Sequence, residues 1–256
     1  MITTDQVKQL RDATGVSVMQ CRKALEEAEG DMEKAVMILK KKSSDIAAKK
    51  ADREANDGII VIKEADGKAF VLVLNCETDF VAQNDDFKKL AADIIDAAMK
   101  DGVEKAVENS AEMINPVIQK IGENIRLGKI EEVSGGTLGS YVHNGKAGVV
   151  VVLEGGTSEL ARDVAMHVAA MKPEYATREE VPAEMIEKAR ELFQKEVDAT
   201  DKPEEIKKKM LEGKVETYFR EQTLLDQPFV KNPDETVSKL LSNAGAKIVR
   251  FVRYTF

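Results

Sequence analysis

The sequence predicts an α+β protein: a small bundle of three helices, then two copies of one unit in which an antiparallel three-stranded sheet carries helices on one face. Two observations carry the prediction. Apolar runs flank an Asp66-Gly67 pair and recur around Asn144-Gly145, and both dipeptides favour tight hairpins. Each hairpin is then followed by a helical stretch with the same ending, Ala97-Ala98-Met99 in one copy and Ala169-Ala170-Met171 in the other. A third observation sets the bundle apart: three helix-opening signals crowd into the first 40 residues.

Those signals are Thr3 with Gln6 and Ser17 with Gln20, both at capping-box spacing, and Asp31 before a third helix. Gly15 and Gly30 stand where helices stop. Val7, Leu10, Ala24, Leu25, Ala35 and Leu39 supply a core, and the third helix is expected to end near Leu39. Val18 and Met19 are adjacent in the first turn of the second helix, on different faces, so at least one of them is expected in solvent. From Lys40 to Asp57 basic residues dominate, which reads as a linker or a solvated helix. The expected division is 1–55 for the bundle and linker, 56–136 for the first α+β unit, and 137–256 for the second.

In the first unit, strands are expected around Ile59 to Ile62 and Phe70 to Leu74, a helix over Phe87 to Met99, a second over Pro116 to Ile121, and a third strand from Ile125 to Val133. In the second unit, strands fall within Leu138 to Leu153, a helix over Glu159 to Met171, another over Val237 to Leu241, and a last strand from Lys247 to Tyr254. The copies differ in two insertions. The first copy is longer around Cys76 to Asn84, where the strand end is expected to open into a loop. The second carries an insertion whose helices, Pro182 to Asp198 and Glu204 to Arg220, have the spacing of a coiled-coil hairpin. Nineteen of the 39 residues from Pro182 to Arg220 are charged, so this hairpin is expected to project into solvent, by roughly 25 Å at the rise of an α-helix.

Composition removes most chemistries. The chain of 256 residues has two His, two Cys and no Trp, which leaves no metal cluster of Cys and His. The net charge of −8 lies on residues 58 to 256, because residues 1 to 57 carry eleven basic and eleven acidic side chains. General binding to DNA or another polyanion is disfavoured by that sign. Apolar runs such as Val149 to Leu153 are too short to cross a membrane, and the N-terminus lacks a signal-peptide pattern, so a cytoplasmic protein is expected. Gly-Lys occurs at 67, 128, 145 and 213, but Ser or Thr never follows, so the chain lacks the P-loop and is not expected to bind nucleotide. Gly135, Gly136 and Gly139 read as a plain connection between the units.

Three candidate sites remain. Cys76 with His143 or His167 has the residue types of thiol catalysis, against the plainer readings of a buried strand thiol, a structural His167 on an apolar helix and an exposed His143 beside its turn. Glu77 and Asp79 have the types of an acid–base pair. Phe80 follows directly, and two readings stand: a core residue at a strand end, or an aromatic presented beside an acid for a partner to cover.

Several stretches resemble the bacterial elongation factor Ts family. They are Leu10-Arg11, Thr14-Gly15, Met19, Cys21 and Lys23-Ala24-Leu25 in the bundle, then Asn75 to Ala82, Lys120 to Asn124, Gly139-Ser140-Tyr141, Ala165 to Ala170 and Gln227 to Val230. The match runs in order from end to end, and the bundle is also similar to ubiquitin-associated (UBA-like) domains. Gln20 stands where many members carry Asp. The longer members have a further helical module beyond the last strand, whereas this sequence ends at Phe256.

The resemblance implies a guanine-nucleotide exchange factor without catalytic chemistry or cofactor of its own. Its partner is elongation factor Tu, the GTPase that carries aminoacyl-tRNA. On the resemblance, Thr78, Asp79, Phe80 and Val81 insert into the GTPase domain and disturb the magnesium and phosphate site. Arg11, Val18, Met19 and Arg22 grip the same domain, and His143 and Val230 contact the partner's other end. The competing expectations are a ribosome- or RNA-associated protein using Lys40 to Arg53 and the charged hairpin, with salt-sensitive RNA affinity, and an enzyme built on Cys76 or on Glu77 and Asp79.

Overall fold

The computed structural model describes residues 2–256. Helices α1 (Thr4–Thr14), α2 (Val18–Glu27) and α3 (Met32–Lys50) form the bundle. Thr3 completes a capping box: its hydroxyl accepts the Gln6 N–H while the Gln6 side chain accepts the Thr3 N–H, which satisfies two otherwise orphaned donors. Gly15 ends α1 at φ +69°, a conformation that an L side chain resists. Ser17 and Asp31 cap the next two helices by accepting from the N–H groups of Gln20 and Lys34. Leu10, Cys21, Ala24, Leu25, Ala35 and Leu39 pack inside.

The third helix does not stop near Leu39. It runs to Lys50, because its apolar face continues through Ser43, which is buried, to Ile46 and Ala47, which pack against the core of the first sheet. The lysines of this stretch occupy its other faces, so one continuous helix serves both the bundle and the body.

The first sheet has β1 (Asp57–Ala65) and β2 (Lys68–Cys76), joined through Asp66 and Gly67 at φ +52° and +71°, as a type I′ turn requires. Then come α4 (Asp79–Gln83), α5 (Asp85–Asp101), α6 (Val103–Ile121) and β3 (Ile125–Ser134), which closes an antiparallel sheet in the order β1-β2-β3. Two expectations are corrected. The segment after Cys76 is no loop: Thr78 caps α4. The helix expected from Pro116 opens at Val103 instead, with Pro116 inside it. Proline removes one hydrogen bond there. Ala106, Ser110, Ile114 and Ile118 are all buried at intervals of four, and this stripe carries the helix through the proline.

The second unit repeats the plan. β4 (Thr137–His143) and β5 (Ala147–Glu154) turn through Asn144 and Gly145 at φ +51° and +69°. After α7 (Ser158–Met171) come α8 (Ala183–Asp198) and α9 (Glu204–Gln222), then β6 (Pro228–Phe229), β7 (Asn232–Thr236), α10 (Val237–Asn243) and β8 (Lys247–Thr255). The sheet order is β4-β5-β8, again antiparallel, and β6 with β7 makes a separate two-stranded ribbon. Helices α8 and α9 pair in opposite directions, with Phe193 against Tyr218 and Lys214 bonded to Glu196 at 2.7 Å. Their base is tied down by Arg178, which holds Asp226 at 2.5 Å and Glu216 at 2.9 Å.

Gly135 and Gly136 make the connection expected of them, both at positive φ, but Gly139 lies inside β4. A Cβ there would sit 2.2 Å from the Arg162 nitrogen and 2.5 Å from the Ala161 carbonyl carbon, so the backbone of α7 presses directly on the strand.

Each sheet covers one face with its helices, and the remaining faces cover each other. Ile60, Val71 and Val133 of the first sheet form a single buried cluster with Leu138, Val150 and Val152 of the second. The approach is closest at Gly148, where a Cβ would lie 2.5 Å from Ile60 Cγ2. Polar ties close the rim. The Ile60 N–H donates to the Gly145 carbonyl at 2.8 Å, and Lys146 donates to the Asp57 carboxylate and to the Gly58 carbonyl.

Candidate partner-binding site

Backbone pairing between β2 and β3 ends at Cys76 opposite Ile125. Thr78 then turns the chain: its hydroxyl accepts the Val81 N–H at 3.4 Å and opens α4. The same hydroxyl donates to Glu123 Oε1 at 2.9 Å, and the Thr78 N–H donates to Glu123 Oε2 at 3.1 Å. One residue back, Glu77 Oε1 accepts the Asn124 N–H at 2.6 Å and the Arg53 guanidinium at 3.5 Å.

On this base α4 divides into two faces. Val81, 7% exposed, and Ala82 drop into the core of the first unit. Asp79 and Phe80 point away, and Phe80 at 83% is the most exposed large apolar side chain among the described residues. Of the two readings of Phe80, burial in a core is excluded, since the ring lies in solvent. Val81 is the anchor of the segment rather than part of its outer face.

The acid–base and thiol readings fail on geometry. Glu77 is already engaged by Asn124 and Arg53, while Asp79 faces solvent. Cys76 is fully buried and its thiol donates to the Thr78 carbonyl at 3.1 Å. Burial, reinforced by the carboxylates of Asp57 and Glu123, pushes that thiol up to about 12, the opposite of what a thiolate nucleophile needs. His167 is fully buried with both ring nitrogens engaged: Nε2 pairs with Gln227 Oε1 at 2.9 Å and Nδ1 accepts the Val230 N–H at 3.1 Å. That pattern fixes the neutral tautomer with its proton on Nε2, and burial lowers its pKa. No group of three or more His, Cys, Asp or Glu able to hold a metal occurs among the described residues, and no helix there is long and apolar enough to cross a membrane.

The other candidate residues lie on separate elements. Arg11 is exposed on α1, and Val18, Met19 and Arg22 on the first turns of α2; both Val18 and Met19 face solvent, Met19 at 64%. Arg22 holds Glu26 at 3.0 Å. His143 is exposed at the end of β4, its Nδ1 3.0 Å from the Tyr141 hydroxyl. Val230 is exposed in the turn between β6 and β7, positioned by the bond from its N–H to His167. Sequence reasoning named Glu77 as an acid–base candidate and His167 as a structural histidine, but not as supports of the α4 segment and of Val230. Glu123 entered it only within the Lys120 to Asn124 stretch of the resemblance, with no role.

A family model described as Elongation factor TS matches residues 77–256, beginning two residues before α4. The chain is 44% identical over 259 residues to Elongation factor Ts of Marinobacter nauticus, covering 98% of this chain and 90% of that one. It is 44% identical over 266 residues to Elongation factor Ts of Alkalilimnicola ehrlichii, covering 99% and 91%, and 42% identical over 267 residues to that of Thioalkalivibrio sulfidiphilus, again covering 99% and 91%. An RNA- or ribosome-associated protein without exchange activity is not favoured by these likenesses. With identity of this level over nearly its whole length and the family match running through α4, the chain belongs to the elongation factor Ts family.

Proposed function

We propose that this chain binds the GDP form of elongation factor Tu and drives GDP release by pressing Asp79 and Phe80 into the site that holds magnesium and phosphate. The observation that carries this reading is α4 itself. A large aromatic stands 83% exposed beside an acid, on a helix whose other side is sunk in the core. Water-exposed apolar surface of that size is unfavourable alone and becomes useful when a partner covers it. Magnesium bridges phosphate and protein in GTPases, so displacing its ligands weakens nucleotide binding without any covalent step. The chain needs only to bind the nucleotide-free partner better than the GDP-bound one, since the two affinities are reciprocally coupled.

In this reading Thr78 and Val81 hold the segment while Asp79 and Phe80 make the contact. The three-helix bundle acts as a UBA-like module that grips the same GTPase domain through Arg11, Val18, Met19 and Arg22. His143 and Val230 of the second unit reach the partner's other end. The units divide near residues 55 and 136, and the α8–α9 pair is a coiled-coil hairpin. The work takes place in the cytoplasm, without catalytic chemistry or cofactor in this chain.

The test is release of a fluorescent GDP analogue from elongation factor Tu. Substoichiometric amounts of the chain should accelerate it through many turnovers. Release at the spontaneous rate, with the complex formed, would sink the proposal.

A further inference from the structure

We infer that Glu123 and Glu77 are positioning residues for nucleotide exchange, which act by continuing the β2–β3 ladder with carboxylates in place of carbonyls and so fixing the direction in which Phe80 points. The inference rests on the reading of α4 as the inserted segment.

The last backbone pair is Cys76 with Ile125. The next two antiparallel rungs would set Glu77 opposite Asn124 and Thr78 opposite Glu123. At those rungs the two strands exchange side-chain bonds reciprocally: Glu77 accepts the Asn124 N–H at 2.6 Å, and Glu123 accepts the Thr78 N–H at 3.1 Å. Each acceptor is a carboxylate, so the bonds are charge-assisted and stronger than those they replace. Glu123 takes the Thr78 hydroxyl as well, at 2.9 Å, and thereby sets the rotamer of the residue that caps α4.

This bracing answers a physical need. A helix of five residues has too few internal bonds to persist alone. Val81 and Ala82 anchor its far side, but burial is not directional and leaves rotation about that anchor open. A group that acts by insertion loses effect when its orientation drifts, because ordering it then costs part of the interaction energy. The brace also reaches the chain leaving α3: Asn124 Nδ2 donates to the Arg53 carbonyl at 2.7 Å, and Arg126 donates to the same carbonyl at 2.9 Å.

The test uses the full chain and saturation kinetics of GDP release from elongation factor Tu. Glu123→Ala is expected to lower the maximal rate about tenfold, through loss of two charge-assisted bonds, while changing half-saturation less than about twofold. In a Phe80→Ala background the same substitution should cost less than about twofold, because its effect passes through the ring. A purely structural role would give the same loss in both backgrounds, and that result overturns the inference; so does a wild-type rate for Glu123→Ala alone. Should Glu123→Ala lose its circular dichroism spectrum, Thr78→Val and Thr78→Ser decide. A rate lost in Thr78→Val and largely recovered in Thr78→Ser supports the hydroxyl–carboxylate bond, and equal rates overturn it. Normal exchange by Phe80→Ala is a separate outcome, which removes the reading of α4 itself.

Discussion

Replacing Phe80 with alanine isolates binding from folding. The ring is 83% exposed, so its removal leaves no cavity, and the melting temperature should move by no more than about 2 °C. Its energy belongs to the complex. A Phe side chain moved from water into a protein surface contributes about 1.5–3 kcal/mol, and at about 1.4 kcal/mol per decade that is a factor of roughly 10 to 150. Where the factor appears distinguishes two mechanisms. If the ring contacts the GDP-bound and nucleotide-free partner equally, the whole loss falls on half-saturation and the maximal release rate is unchanged. If its contacts form only once the magnesium site has been disturbed, the loss falls on the maximal rate. The second outcome is expected: a maximal rate lower by about tenfold or more, with half-saturation changed less than about threefold. Stopped-flow release of a fluorescent GDP analogue from elongation factor Tu, over a range of concentrations of the variant, reads both quantities. A loss confined to half-saturation would refute the reasoning, since the ring would then be a handle and not a wedge.

Two further outcomes follow from the cores. Gly139→Ala places a methyl group 2.2 Å from the Arg162 nitrogen, so β4 and α7 must separate; a loss of about 3 kcal/mol or more is expected, seen as a lower urea midpoint, and an unchanged midpoint would contradict the contact. His167 is buried and neutral with its pKa held below the ordinary 6.5, so as pH falls through about 6.5 the unfolded chain takes up a proton that the folded chain refuses. Stability is therefore full above that pH and declines below it towards the folded pKa. The urea midpoint should be lower near pH 5 than near pH 7.5, and His167→Gln should flatten that slope; an unaltered slope in the variant would place the titration elsewhere. Asp57 works at more acid pH: burial raises its pKa, but the bonds from Lys146 and Gly58 bring it below 3.8.

Short-range chemistry was legible in the sequence. Asp66-Gly67 and Asn144-Gly145 announced both hairpins, because few other pairs tolerate positive φ at two successive positions. Thr3 and Gln6 announced the first helix because both halves of a capping box lie within one turn. What stayed hidden depends on partners far along the chain. Pro116 reads locally as a helix start, and only the buried stripe from Ala106 to Ile118 shows that the helix is already under way. The lysines after Leu39 suggested a linker, while Ile46 and Ala47 needed the first sheet beneath them to show their purpose. An apolar run such as Val149 to Leu153 is the trace of burial on two sides, but it does not name the surface opposite. The sequence marks Phe80 as a candidate without deciding its exposure, since an aromatic at a strand end serves a core or a surface equally well. Its support Glu123 lies 45 residues beyond Thr78, and only the β2–β3 register brings the two together.

The apolar contact between the sheets also has a mechanical meaning. Ile60 is hydrogen-bonded to the tip of the β4–β5 hairpin and wedged against Gly148, so β1 and that hairpin move as one body. The strand paired with β1 is β2, whose end carries α4, and the hairpin tip carries His143. Close-packed interiors have low compressibility, so the packed layers between His143 and Phe80 resist deformation. In the proposed complex, a partner held at both ends would find little give in this frame, and the change of shape would fall to the partner.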